Sequence, residues 1–436
     1  MHPFMKKTDV TGLPVLEDFD LFLTFLRSKK EIPLTNDKVQ LKRADLYRLN
    51  GELHFKADGV TDKSVQAAYP ELEFFYHTVL AGKLARIFYG EKGNFLQSNP
   101  EQLERYALLT PTERYFFLLQ TAWCYLDWSK LCETRNIFLV DSVLSILQLA
   151  VEGPPGKSFD VELSRNLLRQ GKQELFLNSL NKIVQVFWFL GFFDLEPAVF
   201  AKKPDRFTFP FRKITVAETG NVLAPVLLAQ RPPDQWNLPF RKDMGDPEIP
   251  LGLTQEQYYR EDKKGYLVPR PAEELVIPFF LSAFTPLFGP SELAESLYSN
   301  GPTFTPGLYV LKVWLDKPLY RTIAIGASAT LDDLHLAIQS AFRFDNDHLY
   351  AFFMDGEPWS SERFNDPRME EFPFASAVKL SELDLYAGKR FVYVFDFGDN
   401  WEFWITVLQI DPSAPEPKSP KVVDKQGKNP KQYSGW

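Results

Sequence analysis

The sequence predicts a multi-domain protein: a mainly α-helical N-terminal region that includes a winged-helix-like segment, followed by a C-terminal α+β module of β-grasp-like order. Three observations carry that expectation. Apolar residues recur at helical spacing from about residue 17 to 150. Thirteen of the 33 prolines fall between 225 and 306, where helix and strand are both interrupted. Beyond 308, short alternating runs surround one well-capped helix. A chain of 436 residues has room for roughly two to four domains of about 100–200 residues. We divide it into a helical bundle region (1–155), a winged-helix-like segment (156–230), a Pro-rich ordered connector (231–304), the α+β module (305–412) and a polar tail (413–436).

In the first region, Phe19, Leu21, Leu23, Phe25 and Leu26 mix with charged residues at amphipathic spacing. The clearest start signal is Thr110-Pro111-Thr112-Glu113: a capping hydroxyl, a proline suited to the first helical turn, and an acid that closes a capping box. The helix expected from Tyr115 to Leu131 is apolar on more than one face, as a central bundle helix would be. It carries Cys124 and Cys132, the only two cysteines. Eight helical residues separate them by about 12 Å, beyond disulfide reach. Buried free thiols in a reducing, cytoplasmic setting are expected. The N-terminus lacks an apolar leader segment, and no run reaches the ~18–20 apolar residues of a membrane span.

Between 156 and 230 the expected order is two helices (161–170 and 174–191), a short strand at 192–196, an extended aromatic ribbon at 206–216 and a helix over 221–229. This is the order of a winged helix. Residues 161–245 hold twelve Lys and Arg against eight Asp and Glu, a local basic excess in a chain of net charge −8 and pI near 5.4. Lys182, Gln185, Arg212 and Lys213 are the candidate nucleic-acid contacts, with Asn178 and Asn181 on the same helix. That helix is crowded with Ile183, Val184, Val186, Phe187, Trp188, Phe189 and Leu190, which favours packing over the reading of base edges. The acidic total also disfavours non-specific binding to a phosphate backbone.

The module is read as strands Tyr309–Leu315 and Tyr320–Ile325, then a helix capped by Thr330 with Leu331, Leu334, Ile338 and Ala341 toward the sheet. A strand His348–Met354 follows. A polar excursion from Gly356 to Glu371 leads to Val378-Lys379-Leu380. A hairpin, Arg390–Phe397 and Trp401–Ile410, closes the module and is expected to extend the sheet. Two motifs stand out: Asp345-Asn346-Asp347-His348-Leu349, and Phe395-Asp396-Phe397-Gly398-Asp399-Asn400-Trp401-Glu402.

Those two motifs, with Phe352 and in this order, resemble the plasmid pRiA4b ORF-3-like family, whose members are often labelled resolvase-like passengers of insertion sequences. The resemblance covers about 308–410. Its long members have a helical, winged-helix-like N-terminal part similar to residues 60–230, and a tail similar to Pro430-Lys431-Gln432-Tyr433. Short members often carry a His after the second motif and a Cys-Pro and Gly-Gly tail. This chain has Phe403 and no such tail. The resemblance implies a fold and no established activity.

Asp345, Asp347, His348, Asp396, Asp399 and Trp401 are the candidate binding residues. Several oxygens near one sheet edge suit a hard cation, but a calcium loop needs a Gly where Tyr350 stands and a Glu where Gly356 stands. The structural alternative is that Gly398-Asp399-Asn400 forms a tight turn whose acids bond neighbouring N–H groups, with His348 beside Asp396. His335 is expected half-buried and satisfied. The acids Glu357, Glu362, Asp366, Glu370 and Glu371 are read as a solvated loop. No P-loop, dinucleotide-binding glycine motif, His-Glu-x-x-His or Cys-x-x-Cys occurs, nor a serine-recombinase nucleophile motif. The expected function is therefore non-catalytic docking to a protein partner, possible within a mobile-element or nucleic-acid complex. A metal-dependent enzyme using His348, Asp396 and Asp399, and direct DNA binding, are the alternatives. No cofactor, bound metal or membrane is expected.

Overall fold

The structure, a computed structural model, describes residues 8–432 except 91, 134–138, 161–180, 199–209, 245–248, 262, 264–266, 289–291, 299–304, 317, 370 and 372. The chain forms two compact units. One comprises 1–86, 96–241 and 249–299, the other 87–95, 242–248 and 300–436.

The first unit opens with helices α1 (Pro14–Arg27), α2 (Arg43–Asn50) and α3 (Pro70–Ala81). In sequence, a hairpin, β1 (Ala85–Gly90) and β2 (Gly93–Ser98), whose residues 87–95 belong to the second unit, precedes α4 (Pro100–Leu108), α5 (Pro111–Gln120) and α6 (Leu139–Glu152) of the first. Proline occupies the first turn of α1, α3, α4 and α5, where its missing N–H costs nothing. Phe19 of α1 meets Phe75 of α3 at 5.1 Å and Tyr106 of α4 at 5.7 Å between ring centres. The expected capping box forms: Glu113 accepts from Thr110 N at 2.8 Å, and the Thr110 hydroxyl accepts from Glu113 N at 3.2 Å.

Two expectations for this region change. The helix from Tyr115 does not run to Leu131. It ends at Gln120 and passes through a π-turn over Thr121–Tyr125. There the Thr121 hydroxyl donates to Phe117 O at 2.6 Å. The Asp127 carboxylate then caps a separate short turn by accepting from Lys130 N at 3.0 Å, a competing local bond that ends helices. Cys124 is buried, Cys132 is partly buried, and both are free. The β1–β2 hairpin was hidden in a stretch that otherwise reads as helix. Its signal is the apolar run Ile87-Phe88-Tyr89 followed by Gly90 and Gly93.

Further along lie β3 (Ser158–Asp160), α7 (Asn181–Phe189), β4 (Phe193–Pro197), β5 (Phe211–Val216) and α8 (Glu218–Gln230). The strands form an antiparallel sheet in the order β3-β5-β4. The expected helix at 161–170, the start of the next one with Asn178, and ribbon residues 206–209 lie outside the described residues. In the Pro-rich stretch, Arg231 is buried and donates to Phe280 O at 3.0 Å and Phe279 O at 2.9 Å while lying over Trp236. Its carbonyl partners replace the ladder bonds that proline removes.

In the second unit, β6 (Leu308–Asp316), β7 (Leu319–Gly326), α9 (Leu331–Phe342), β8 (Tyr350–Phe353), β9 (Arg363–Asn365), β10 (Arg390–Phe395), β11 (Trp401–Asp411) and β12 (Lys421–Gln426) follow in order. The seven-stranded sheet runs β9-β8-β10-β11-β6-β7-β12, and its paired strands are antiparallel. Leu331, Leu334, Ile338 and Phe342 of α9 join Leu311, Ile323, Phe391, Tyr393, Phe403 and Ile405 in one core.

The closing hairpin does not extend the sheet; it forms its middle. β10 pairs with β8, and β11 pairs with β6. β10 is buried on both faces from Phe391 to Phe395, as a central strand requires. Beyond the excursion, Lys379 makes a single bridge to Thr330, and Leu380 opens a 3-10 turn. The tail beyond 412 is polar and exposed, yet residues 421–426 add to β7 as an edge strand. An edge strand can satisfy its ladder on one side without burying any side chain, which is why its composition reads as tail. Among the described residues, no helix is long and apolar enough to cross a membrane.

Candidate functional site

The second motif is a turn built by its own first acid. Asp396 has φ +55°. Its Oδ1 accepts from Gly398 N at 3.0 Å and Asp399 N at 3.3 Å, and its carbonyl accepts from Asn400 N at 2.6 Å. Short polar side chains tolerate this conformation because they bond the backbone locally. Asp396 N donates to Leu349 O at 2.9 Å, so the turn is stitched to the first motif. His348 Nε2 lies 3.5 Å from Asp396 Oδ2 and 3.8 Å from Asp347 Oδ2. These are electrostatic contacts rather than short hydrogen bonds. The Asp396 side chain is 8% exposed and that of His348 43%.

The first motif is braced from beneath. The His348 carbonyl accepts from Arg368, whose guanidinium grips Asp366, with Nε 2.9 Å and Nη2 2.5 Å from Oδ2. Asp366 is 1% exposed, and its N–H donates to Tyr350 O at 3.0 Å. Asp366 is thus no solvated loop residue. Glu362 pairs with Lys242 and Glu371 with Arg363, each at 2.5 Å, so the excursion is held by ion pairs; Glu370 lies outside the described residues.

A second brace comes from α9. His335 is 1% exposed and stacks on Tyr350 with ring centres 3.8 Å apart. Its Nε2 is 2.9 Å from Asn346 Oδ1 and its Nδ1 is 2.6 Å from Tyr393 Oη. Gln339 Nε2 donates to that hydroxyl at 2.7 Å. The set is satisfied when Nε2–H donates to Asn346 and Nδ1 accepts from Tyr393. Burial pushes the imidazole down to about 4, so it stays neutral. Burial also raises Tyr350, whose hydroxyl donates to Asp332 at 2.5 Å.

Of the six candidate binding residues, Asp347, His348 and Asp396 converge. Asp399 enters through its turn N–H. Asp345 is tied through its main chain to Gln432, at 2.5 Å from N to Oε1 and 3.0 Å from O to Nε2. Gln432 Nε2 also reaches Asp347 Oδ1 at 3.2 Å. Trp401 packs edge-on against Phe344 at 5.0 Å. Among the described residues, no group of three or more His, Cys, Asp or Glu side chains is placed to hold a metal ion. Sequence reasoning missed Asp366, Arg368, Gln432 and the bracing role of Asn346. The Asp-x-Arg spacing at 366–368 was the one local signal.

The candidate nucleic-acid contacts are engaged elsewhere. Lys182 pairs with Glu133 at 2.9 Å. Gln185 is buried and donates to Asn181 Oδ1 at 2.9 Å. Arg212 and Lys213 both pair with Glu196, the latter at 3.3 Å.

The fold and the site define an antiparallel α+β module with two stitched polar motifs on one rim. Residues 308–435 match the family model of plasmid pRiA4b ORF-3-like protein. The match runs past the expected boundary at 412 and takes in β12. Over 131 residues the chain is 31% identical to the uncharacterized protein y4hQ of Sinorhizobium fredii (strain NBRC 101917 / NGR234), an overlap of 29% of this chain and 65% of that protein. The chain thus spans just under two thirds of that relative's length. A protein of unknown function from Methanosarcina mazei Go1, solved as a crystal structure, shares 25% identity over 30% of this chain and 75% of its own, with a TM-score of 0.27.

Proposed function

We propose that this protein is a non-catalytic docking protein whose C-terminal module presents the rim formed by Asp347, His348 and the 398–400 turn to a protein partner. One observation carries the reading: the polar groups of both motifs are spent on bracing. Asp396 caps its own turn, Arg368 holds the His348 carbonyl, and His335 holds Asn346. What remains at the surface is a half-exposed imidazole, an exposed acid and a turn tip on a fixed backbone. Preorganisation of this kind lowers the entropy cost of binding. The resemblance to insertion-sequence passengers extends the reading to partners within mobile-element or nucleic-acid complexes. The order of a hairpin, a helix and further strands on one sheet supports the β-grasp-like description. The β3-β5-β4 sheet beside α7 supports the winged-helix-like one. A second reading, a metal-dependent or nucleic-acid-processing enzyme, draws on the contact between His348 and Asp396. The third, DNA binding through 156–230, predicts a steep salt slope in a gel-shift titration.

The test of docking is affinity capture with the full chain against His348→Ala and Asp399→Ala variants of unchanged Tm. A partner held by the wild type and lost by both variants supports the rim. Identical captured sets from all three place the docking surface elsewhere.

A further inference from the structure

The strongest unassigned surface is the edge of the sheet at β12. This strand pairs with β7 along one side only, and its six residues are exposed. Beside it lies a groove of about 400 Å³ lined by Ile323, Asp333, Leu336, Ala337, Ser340 and Val422. Val422 stands opposite the core residue Ile323, so it shares the helix-covered face of the sheet. Val422 and Leu336 are 44% and 49% exposed, an apolar pair open to water beside a free strand edge.

Lysines outnumber acids around this edge. Lys418, Lys421, Lys425, Lys428 and Lys431 are exposed, and among the described residues none has an ion pair or hydrogen bond through its ammonium group. The acids nearby are fewer and keep their charge while bonding neutral donors: Glu416 accepts from Ser328 N at 3.1 Å, Asp424 from the Tyr320 hydroxyl at 2.9 Å, and Asp333 from Thr330 N at 2.8 Å. A chain of net charge −8 therefore keeps a local excess of cations along one strand edge.

We infer that β12 and its groove dock an acidic, extended peptide segment of a partner protein, which adds to the sheet as an eighth strand. Main-chain pairing supplies the register, apolar side chains at alternate positions enter the groove beside Leu336 and Val422, and acidic residues between and around them meet the lysines. A second copy of this chain is the wrong occupant, because it sets one lysine row against another. A single nucleic-acid strand meets the cations but offers no strand edge to β12 and leaves the apolar pair unfilled. None of the residues of the 347/348/396 rim takes part, so this inference and the docking reading above fail separately.

The probe is a blocked, fluorescein-labelled peptide alternating Glu and Val, titrated into the full-length protein by anisotropy. The controls are a Lys–Val peptide, an oligoglutamate and a single-stranded oligo-dT of matched charge. Saturable binding is expected, weakened about tenfold or more by Val422→Asp and by Lys421→Glu/Lys425→Glu, and weakened by salt. All three substituted positions are exposed, and an unchanged circular dichroism spectrum checks their folding. Four results would overturn the inference: no saturable binding, equal affinity for the Lys–Val peptide or for oligoglutamate, oligo-dT binding that equals the peptide's and survives Val422→Asp, or a stable dimer that the peptide does not dissociate.

Discussion

At the scale of single residues, the rim divides into groups that hold and groups that are held. Asp366 is buried and carries the Arg368 fork, whereas His348 is half exposed and contributes its carbonyl to that fork. The two should respond differently to substitution. Asp366→Asn keeps the shape but gives up the charge-assisted bonds, and we expect a loss of about 1.5–3 kcal/mol. His348→Ala should stay within about 0.5 kcal/mol of the wild type, because its backbone carbonyl survives. Urea denaturation of the full chain, followed by a probe within the second unit, checks both. A neutral Asp366→Asn would remove the brace from beneath the first motif. The rim itself was half legible in the sequence. The turn chemistry of Asp396-Phe397-Gly398-Asp399-Asn400 is local and readable, and so was the neighbourhood of His348 and Asp396. Arg368 and Gln432 reach the motif from 20 residues and more away, where no spacing rule applies.

At the scale of elements, α9 shows what the sequence states openly. Thr330 accepts from Asp333 N at 3.1 Å, and Asp333 accepts from Thr330 N at 2.8 Å. Of the expected stripe, Leu331, Leu334 and Ile338 are buried and Ala341 is partly buried against the core, while Phe342, not expected, completes the buried face. The residue that caps its C-terminus, Arg343, sits in the left-handed region at φ +59° and ψ +46°, where a glycine fits without strain. Substitutions at the two ends of this helix should therefore have opposite signs. Thr330→Ala should cost about 1 kcal/mol, and Arg343→Gly should gain up to about 1 kcal/mol, both read as shifts of the denaturation midpoint at constant slope. Strand order was less legible. Periodicity identified the strands of the closing hairpin, but not that β11 would lie against β6 in the middle of the sheet. Only the burial of both faces of β10 carries that information, and a run such as Phe391-Val392-Tyr393-Val394-Phe395 fits a central strand as well as a paired edge. β12 shows the converse: its pairing needs no apolar pattern, so Lys-Val-Val-Asp-Lys-Gln reads as tail.

At the scale of the whole molecule, buried ionisable groups set the two units against each other in mild acid. In the first unit, burial and then the neighbouring Asp18 carboxylate push the Glu71 carboxyl well above its ordinary value of 4.5. A carboxyl raised on folding stabilises the native state while protonated, so that contribution is lost as pH rises above 4.5 and returns on acidification. His54, 2.8 Å from Asp18, is raised from 6.5, mainly by its bond to Asp18. It too stabilises more as pH falls. In the second unit the sign reverses. Burial drives His335 from 6.5 down to about 4, so the unfolded chain takes up a proton that the folded module refuses. Stability is then full above 6.5 and is lost as pH falls toward 4, on the order of 3 kcal/mol in all. Glu73 and Glu113 of the first unit are lowered by their partners, His77 with Lys182 and the Thr110 cap respectively. Their losses begin only below about 4.5. Between pH 6.5 and 4.5 the first unit should therefore gain protection from Glu71, the contribution of His54 being complete by 6.5, while the module loses it. Hydrogen exchange, corrected for intrinsic rates and resolved by peptide, reads the opening free energy of each unit separately. His335→Gln should flatten the trend in the module and Glu71→Gln that in the first unit, each leaving the other unit's trend in place. Parallel trends in both units would mean that other groups govern the response to pH.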